Sequence, residues 1–232
     1  MNYAVICAGG KGERMGEGKN KVFIRLKDKE IIARTLKVFE DTKKINGIVI
    51  SAAKEDIKEI EEIIEREGFK KVEAVIEGGE KRQDSVYNGI KKVKEFAEEK
   101  DVLLIHNAAN PFVEKTTIEK CIKEAQEFGA SVAAQKVKHT IKRVNENLIV
   151  KETLNRNELW QMQTPQAIVF HIAVKAFQRA EEEGFYGTDD VQLVERIHGK
   201  VKIVECSYEN IKITTQEDLE LGEKILEKRG EK

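Results

Sequence analysis

Short apolar runs alternate with amphipathic helical stretches along most of this chain, and that alternation leaves few architectures open. The runs are YAVIC (3–7), GIVISA (47–52), KVEAVI (71–76), VLLIH (102–106), SVAAQKV (131–137) and VKIVEC (201–206). Each is mostly β-branched or apolar, as expected of strands covered on both faces in a parallel sheet. Between them, IIARTLKVFEDT (31–42) and EDIKEIEEIIEREG (55–68) have helical spacing. In the second, Ile57, Ile60, Ile63 and Ile64 share one face and Gly68 supplies a stop. Strand alternating with helix implies a three-layer α/β sandwich with a mostly parallel sheet. Ligands of such sheets bind beyond the carboxyl ends of the strands, which directs attention to the loops at 8–21, 77–85 and 106–112. A chain of 232 residues can bury one sizeable core, so residues 1–232 are read as one domain.

Residues 138–160, KHTIKRVNENLIVKETLNRNELW, break the alternation and read as an extended hairpin with NEN (145–147) at its tip. Such an arm has little of its own to pack against. The segment at about 137–160 is therefore read as an exchange or dimerisation element rather than a free loop.

Charge excludes some partners. Lys+Arg 41 and Asp+Glu 42 nearly cancel, and a net charge of −1 gives no reason to expect nucleic acid or a membrane surface. Cys7, Cys121 and Cys206 lie far apart with no C-x-x-C spacing, which argues against a disulfide framework or a zinc site and fits a reducing cytoplasm. The start, MNYAVICAGG, lacks the basic leader and long apolar stretch of a signal peptide. No apolar run approaches the ~20 residues of a transmembrane helix. A cytoplasmic protein is expected.

The first run opens into CAGGKGERMGEGKNKVFI (7–24), a glycine-rich, basic turn suited to phosphate. It is not a P-loop, because Gly12 is followed by Glu13 instead of Lys, and not a G-x-G-x-x-G loop, because Met15 stands where the last glycine is needed. What remains is G-G-x-G-x-R-M with Lys21 seven residues beyond Arg14. Glycines let backbone N–H groups approach phosphate oxygens and take up positive φ. Arg14 can hold two oxygens with its planar fork, and Lys21 adds a mobile point charge. The spacing resembles the signature loop of nucleotidyltransferases that join a sugar or polyol phosphate to a nucleoside triphosphate.

Further segments narrow the resemblance. They are EGGEKRQDSVYNGI (77–90), IHNAANPF (105–112), LNRNELWQMQTPQ (154–166), GTDDVQLVE (187–195) and NIKITTQEDL (210–219). In order and spacing they resemble the G-G-x-x-R-x-x-S-V, H-D-A-A-R-P, D-R-x-x-L-W-x-x-Q-T-P-Q, T-D-(D/E)-x-x-x-x-E and N-x-K-(I/V)-T-x-x-x-D-L segments of the 2-C-methyl-D-erythritol 4-phosphate cytidylyltransferases. The resemblance implies a Rossmann-like sheet of the nucleotide-diphospho-sugar transferase type with a protruding β-arm. It also implies a homodimer and a reaction of CTP with a polyol phosphate that uses Mg²⁺, held mainly through the CTP phosphates, and releases pyrophosphate. By the same resemblance Ala8, Gly9, Gly10, Gly12, Gly79, Glu80, Ser85 and Asn107 bind CTP, and Arg14, Lys21 and Lys212 are the catalytic set. Asn107, Asn110, Thr140, Arg156, Thr188 and Lys212 would meet the acceptor, Thr140 and Arg156 from the arm and across the dimer.

The chemistry implied needs no covalent intermediate. A substrate phosphate attacks the α-phosphorus in line and pyrophosphate leaves, so catalysis rests on placing two anions and neutralising charge at phosphorus. The acceptor phosphate is already ionised near neutral pH, so no general base is sought. One loop departs from the family pattern. It reads His106-Asn107-Ala108-Ala109-Asn110-Pro111, with asparagines where the family has Asp and Arg. The pair of changes removes one negative and one positive charge together, and Asn is a poorer Mg²⁺ ligand than Asp. Three readings stay open at this point: 2-C-methyl-D-erythritol 4-phosphate as acceptor with altered loop geometry, another polyol phosphate such as ribitol 5-phosphate, or a CTP-binding relative without turnover. Other polar residues read as structural. His106 ends a strand, Asp189 and Asp190 suit a helix N-terminal turn, Asp84 orients a helix start, and His171 and His198 read as helical.

Overall fold

The apolar runs become neighbours in a seven-stranded sheet. The computed structural model describes residues 1–10 and 20–230; Gly12 and Arg14 therefore lie outside the described residues. In chain order the elements are β1 (Asn2–Cys7), β2 (Arg25–Leu26), β3 (Lys29–Glu30), α1 (Ile31–Asp41), β4 (Gly47–Ala52), α2 (Ile57–Glu67), β5 (Val72–Glu77), α3 (Arg82–Val93), β6 (Val102–Asn107) and α4 (Lys115–Phe128). They continue with β7 (Gly129–Lys136), β8 (Lys142–Val144), β9 (Val150–Thr153), β10 (Trp160–Val169), α5 (Phe170–Glu182), α6 (Asp190–Arg196), β11 (Lys200–Glu205) and α7 (Gln216–Arg229). The strand order is β11-β7-β10-β6-β1-β4-β5. All neighbours pair in parallel except β10, which is antiparallel to both β6 and β7.

Successive side chains along a strand face opposite sides, and the core divides accordingly. Ala4, Ile6, Ile48, Ile50 and Leu104 join the side chains of α1, α2 and α4 on one face. Tyr3, Val5, Val49, Leu103 and Ile105 join those of α3, α5 and α6 on the other. These are the three layers expected from the alternation. Within α2, Ile60 and Ile63 are buried and Ile57 and Ile64 pack partly buried on the same core. The helix ends where Gly68 takes φ 68° and its N–H reaches the carbonyl of Glu65. α3 packs tightly because residue 89 is glycine: a Cβ there would lie 2.5 Å from Val5 Cγ1. A third cluster, with Leu26, Phe112, Ile213 and Leu226, seats α7 and the β2–β3 hairpin beside the sheet.

Three sequence expectations need correction. The residues that come after the hairpin expected at 138–160 carry no strand expectation, yet they belong to β10, which occupies a central place in the sheet. Its sequence, WQMQTPQAIV, hides it. Only its last residues read as a strand, and Pro165 cannot donate to a ladder. A register shift between Met162 and Gln166 accommodates the proline. Second, the runs at 71–76 and 201–206 are edge strands, half-exposed instead of covered on both faces. Third, His198 is not helical; it lies beyond the end of α6 at φ 60°. The arm itself is the β8–β9 pair, with the side chain of Asn145 accepting from the N–H groups of Asn147 and Ile149 at its turn. Among the described residues no helix is long and apolar enough to cross a membrane.

Candidate active site

From β1 the chain winds outward through β4 to β5 and then returns to the other side of β1 as β6. The carboxyl ends of β1 and β6 therefore mark a topological switch point, where an open α/β sheet forms a crevice. Cys7 and Asn107 are paired in register there. A cavity of about 480 Å³ opens above them. Its wall collects Ala8, Gly9, Gly10, Lys21, Gly79, Glu80, Ser85, Asn107 and Lys212 from segments far apart in sequence.

The first wall is the start and the end of the glycine-rich loop. Gly9 and Gly10 are absent from the residues at positive φ, so the expected left-handed backbone is not what their lack of a side chain serves. Among the described residues a Cβ on Gly10 would meet nothing within 4 Å. Asn20 closes the loop on itself. Its side-chain N–H groups bond the Ala8 carbonyl at 2.6 Å and Asp56 Oδ2 at 2.8 Å, while its Oδ1 accepts from Val22 N–H at 3.3 Å. That last bond caps the single 3₁₀ turn that carries Lys21.

The opposite wall is the entry to α3. Ser85 Oγ accepts the Gly79 N–H at 3.0 Å and donates to the Lys81 carbonyl at 3.2 Å, clipping the loop after β5 onto the helix. Asp84 accepts the Lys81 N–H at 3.0 Å, which orients the helix start. Residue 79 must be glycine: a Cβ there would lie 2.3 Å from Asp84 Cβ. If Gly79 binds CTP, as the resemblance implies, Gly79→Ala should push the loop off α3 and lower CTP affinity at least tenfold while the circular dichroism stays native. CTP titration by calorimetry checks it, and unchanged affinity would contradict this account of the wall.

Arg82 occupies the floor between the walls. Its Nη1 and Nη2 bond the two carboxylate oxygens of Asp190 at 2.9 and 2.7 Å, and its Nε donates to Asn107 Oδ1 at 3.0 Å. Burial works against the guanidinium charge, but the attraction of neighbouring groups, the Asp190 carboxylate first among them, together outweighs it and raises the pKa. Asp190 is held in turn: Gln166 of β10 accepts the N–H groups of Asp190 and Val191, both at 2.9 Å. Lys212 enters from the remaining side between two anchors. Asn210 bonds the Thr164 carbonyl at 2.9 Å, and the Ile213 N–H bonds the Ala109 carbonyl at 2.9 Å.

Four expected acceptor residues stand outside this wall. Asn110 is 1% exposed and sits behind Asn107, so it does not itself face the cavity. Thr188 is exposed on the loop into α6, with its hydroxyl bonded to Gln192 Oε1 at 3.3 Å. Thr140 and Arg156 are exposed on the arm. Arg82 and Asn20 line the cavity without having been singled out from sequence. Arg82 lay within a quoted segment, but its partner is 108 residues away. Nothing in the local sequence around Asn20 signals its bonds to Ala8 and Asp56.

The ionisable groups near the floor are not disposed as nucleophiles or bases. Burial pushes the Cys7 thiol up to about 11. Burial also lowers His106 to about 4, so its ring is neutral at pH 7 and donates from Nε2 to the Asn110 carbonyl at 2.9 Å. Among the described residues no three His, Cys, Asp or Glu side chains converge as a metal cage. Glu80 is the one carboxylate among the described lining residues. That donor set fits a magnesium ion carried chiefly by nucleotide phosphates, which takes few protein ligands.

Comparison with known proteins bears on the whole chain. The family model described as IspD, 2-C-methyl-D-erythritol 4-phosphate cytidylyltransferase, matches residues 2–228. The 2-C-methyl-D-erythritol 4-phosphate cytidylyltransferase of Lysinibacillus sphaericus (strain C3-41) is 43% identical over 231 residues, covering 99% of this chain and 98% of that one. The protein of the same name in Clostridioides difficile (strain 630) is 44% identical over 234 residues, covering 100% and 97%. Among solved structures, 4-diphosphocytidyl-2C-methyl-D-erythritol synthase from Anaerococcus prevotii DSM 20548 superposes with a TM-score of 0.85 at 29% identity, over 97% of this chain and 96% of that one. The Francisella tularensis 2-C-methyl-D-erythritol 4-phosphate cytidylyltransferase gives 0.77 at 28% identity, over 95% and 97%.

Proposed function

The chain belongs to the IspD family, the 2-C-methyl-D-erythritol 4-phosphate cytidylyltransferases, and we propose that its reaction runs in the cavity at the ends of β1 and β6. It is a CTP-dependent nucleotidyltransferase that converts CTP and 2-C-methyl-D-erythritol 4-phosphate to CDP-methylerythritol and pyrophosphate in isoprenoid biosynthesis. The observation that carries the location is the convergence of Lys21, Gly79, Ser85, Asn107 and Lys212 on one cavity.

In this reading the cytosine and ribose lie between Ala8–Gly10 and the Gly79–Ser85 clip, where open backbone and a hydroxyl edge accept a flat base. Lys21, with Arg14 from the loop, holds the triphosphate. Lys212 faces the reacting phosphates, where a fixed cation stabilises the charge that builds as the acceptor oxygen attacks and pyrophosphate departs. Magnesium, when bound with the nucleotide and to Glu80, supplies further positive charge against the phosphates. The protonated thiol of Cys7 and the buried neutral ring of His106 take no part in bond making.

Thr140, Arg156 and Thr188 complete the acceptor side, the first two from a partner subunit. Support for a homodimer comes from the arm, whose Leu148, Ile149 and Val150 are 81%, 62% and 54% exposed. Apolar side chains exposed together at this level mark an interaction surface. The free thiols Cys7, Cys121 and Cys206 support a reducing, cytoplasmic setting.

The test is pyrophosphate release from CTP and Mg²⁺ with a panel of acceptors. Release with 2-C-methyl-D-erythritol 4-phosphate is expected. Release only with ribitol 5-phosphate, or with no acceptor in the panel, would overturn the assignment.

A further inference from the structure

The asparagine pair of the 106–111 loop forms a built device behind the cavity. Arg82 can only donate, so the Asn107 atom 3.0 Å from its Nε must be the carbonyl oxygen Oδ1. That leaves Nδ2 facing Asn110, and the atom turned toward it, at 3.3 Å, must be Asn110 Oδ1. The Asn107 amide thus has one orientation, set from both ends. Each end is itself fastened. Arg82 is clamped by Asp190 through two hydrogen bonds. Asn110 is 1% exposed, its N–H bonds the Asn107 carbonyl at 3.1 Å, and its own carbonyl accepts from buried His106. The neighbouring Ala109 carbonyl is taken by Ile213, next to Lys212.

An amide carries two N–H donors and two carbonyl lone pairs. One of each is used here, and the carbonyl end lies against a guanidinium, where a cation is disfavoured. Asn107 lines the cavity; its spare lone pair sits beside the guanidinium, so toward a phosphate or hydroxyl oxygen there it offers its second N–H.

We propose that Asn110 is a positioning residue that, with Arg82, locks Asn107 so that its remaining N–H donates to an acceptor oxygen of the bound substrates, in place of ligating a cation. Asn110 acts only through Asn107. The loop thereby works as a neutral unit, in which neither asparagine can be exchanged alone without disturbing the other.

The proposal rests on the cavity being the transfer site, and a cycle of variants separates the two ideas. Steady-state constants for CTP and for 2-C-methyl-D-erythritol 4-phosphate are measured for wild type, Asn107→Ala, Asn110→Ala and the double variant, with a melting curve for each. Asn110→Ala is expected to lower kcat/KM about tenfold, the size of one well-placed hydrogen bond. In the Asn107→Ala background the same change should have almost no further effect. Equal losses in both backgrounds would show a merely structural role and overturn the proposal. Asn107→Asp, nearly isosteric at a half-buried position, provides a second arm that does not depend on Asn110→Ala folding. It removes the N–H donor and turns a carboxylate oxygen on Asn110 Oδ1, so kcat/KM should fall about tenfold. A rise would overturn the proposal. If wild type itself released no pyrophosphate, the site assignment would fall with it; additive losses in an active wild type overturn the asparagine device alone.

Discussion

Replacing Arg82 by leucine is expected to abolish transfer and to lower the melting temperature, for two separable reasons. Asp190 is 2% exposed, and without the guanidinium its carboxylate is a buried charge with no counter-ion. Breaking such a pair from one side costs about 3–5 kcal/mol when both partners are buried, and the lower end applies here because Arg82 is 36% exposed. For a chain of this size about 3 kcal/mol lowers the melting temperature by roughly 6–12 °C. The functional loss has another origin, because Asn107 loses the donor that orients it and the floor loses its positive charge. Adding Asp190→Asn should recover most of the stability, since a neutral amide is cheaper to bury than an unpaired charge. It should recover none of the activity. Differential scanning calorimetry and pyrophosphate release check the two effects independently, and a double variant that regained both would remove Arg82 from the site.

Lys212→Ala is expected to reduce kcat by about 10²–10³-fold, the usual cost of removing one fixed group that stabilises charge in the transition state. The backbone around it should hold, because Asn210 and Ile213 anchor the loop without the lysine side chain. The same variant tests the arm. Arg156→Ala should weaken the acceptor site of the partner subunit while leaving CTP affinity nearly unchanged. Mixing the two impaired variants should then raise activity above that of either alone, because a mixed dimer contains one site with Lys212 from one subunit and Arg156 from the other. Mixtures no more active than their components would sink the idea that the arm works across a dimer.

The layers of this fold were legible because burial imposes a period. Ile60 and Ile63 recur at helical spacing, and Ala4, Ile6, Tyr3 and Val5 need only alternate to face two cores. β10 was not legible, because its pairing is decided by the edges of β6 and β7 that flank it rather than by its own glutamines and Pro165. The site divides in the same way. Gly79, Ser85 and Lys212 stand in segments whose spacing resembles a family, so they could be named from sequence. Arg82 gains its meaning only from Asp190, and Asn20 only from Ala8 and Asp56, contacts that the fold creates. Asn110 is the instructive case: its position in a substrate-facing motif suggested a contact, whereas burial puts it one residue removed from the cavity.

The central place of β10 also sets an order of assembly. A ribosome making this chain releases β6 and β7 well before residue 160, and those two strands are not neighbours in the sheet. Until β10 emerges after the arm, each presents an open edge of unpaired N–H and C=O groups, the kind of edge that recruits foreign strands. β7 has no partner at all until then, because its other neighbour, β11, is made later still, so β10 is the strand that joins β7 to the rest of the sheet. The place β10 fills is also the one from which Gln166 reaches the N-terminus of α6. Asp190, and through it the grip on Arg82, can reach its final place only once β10 is in.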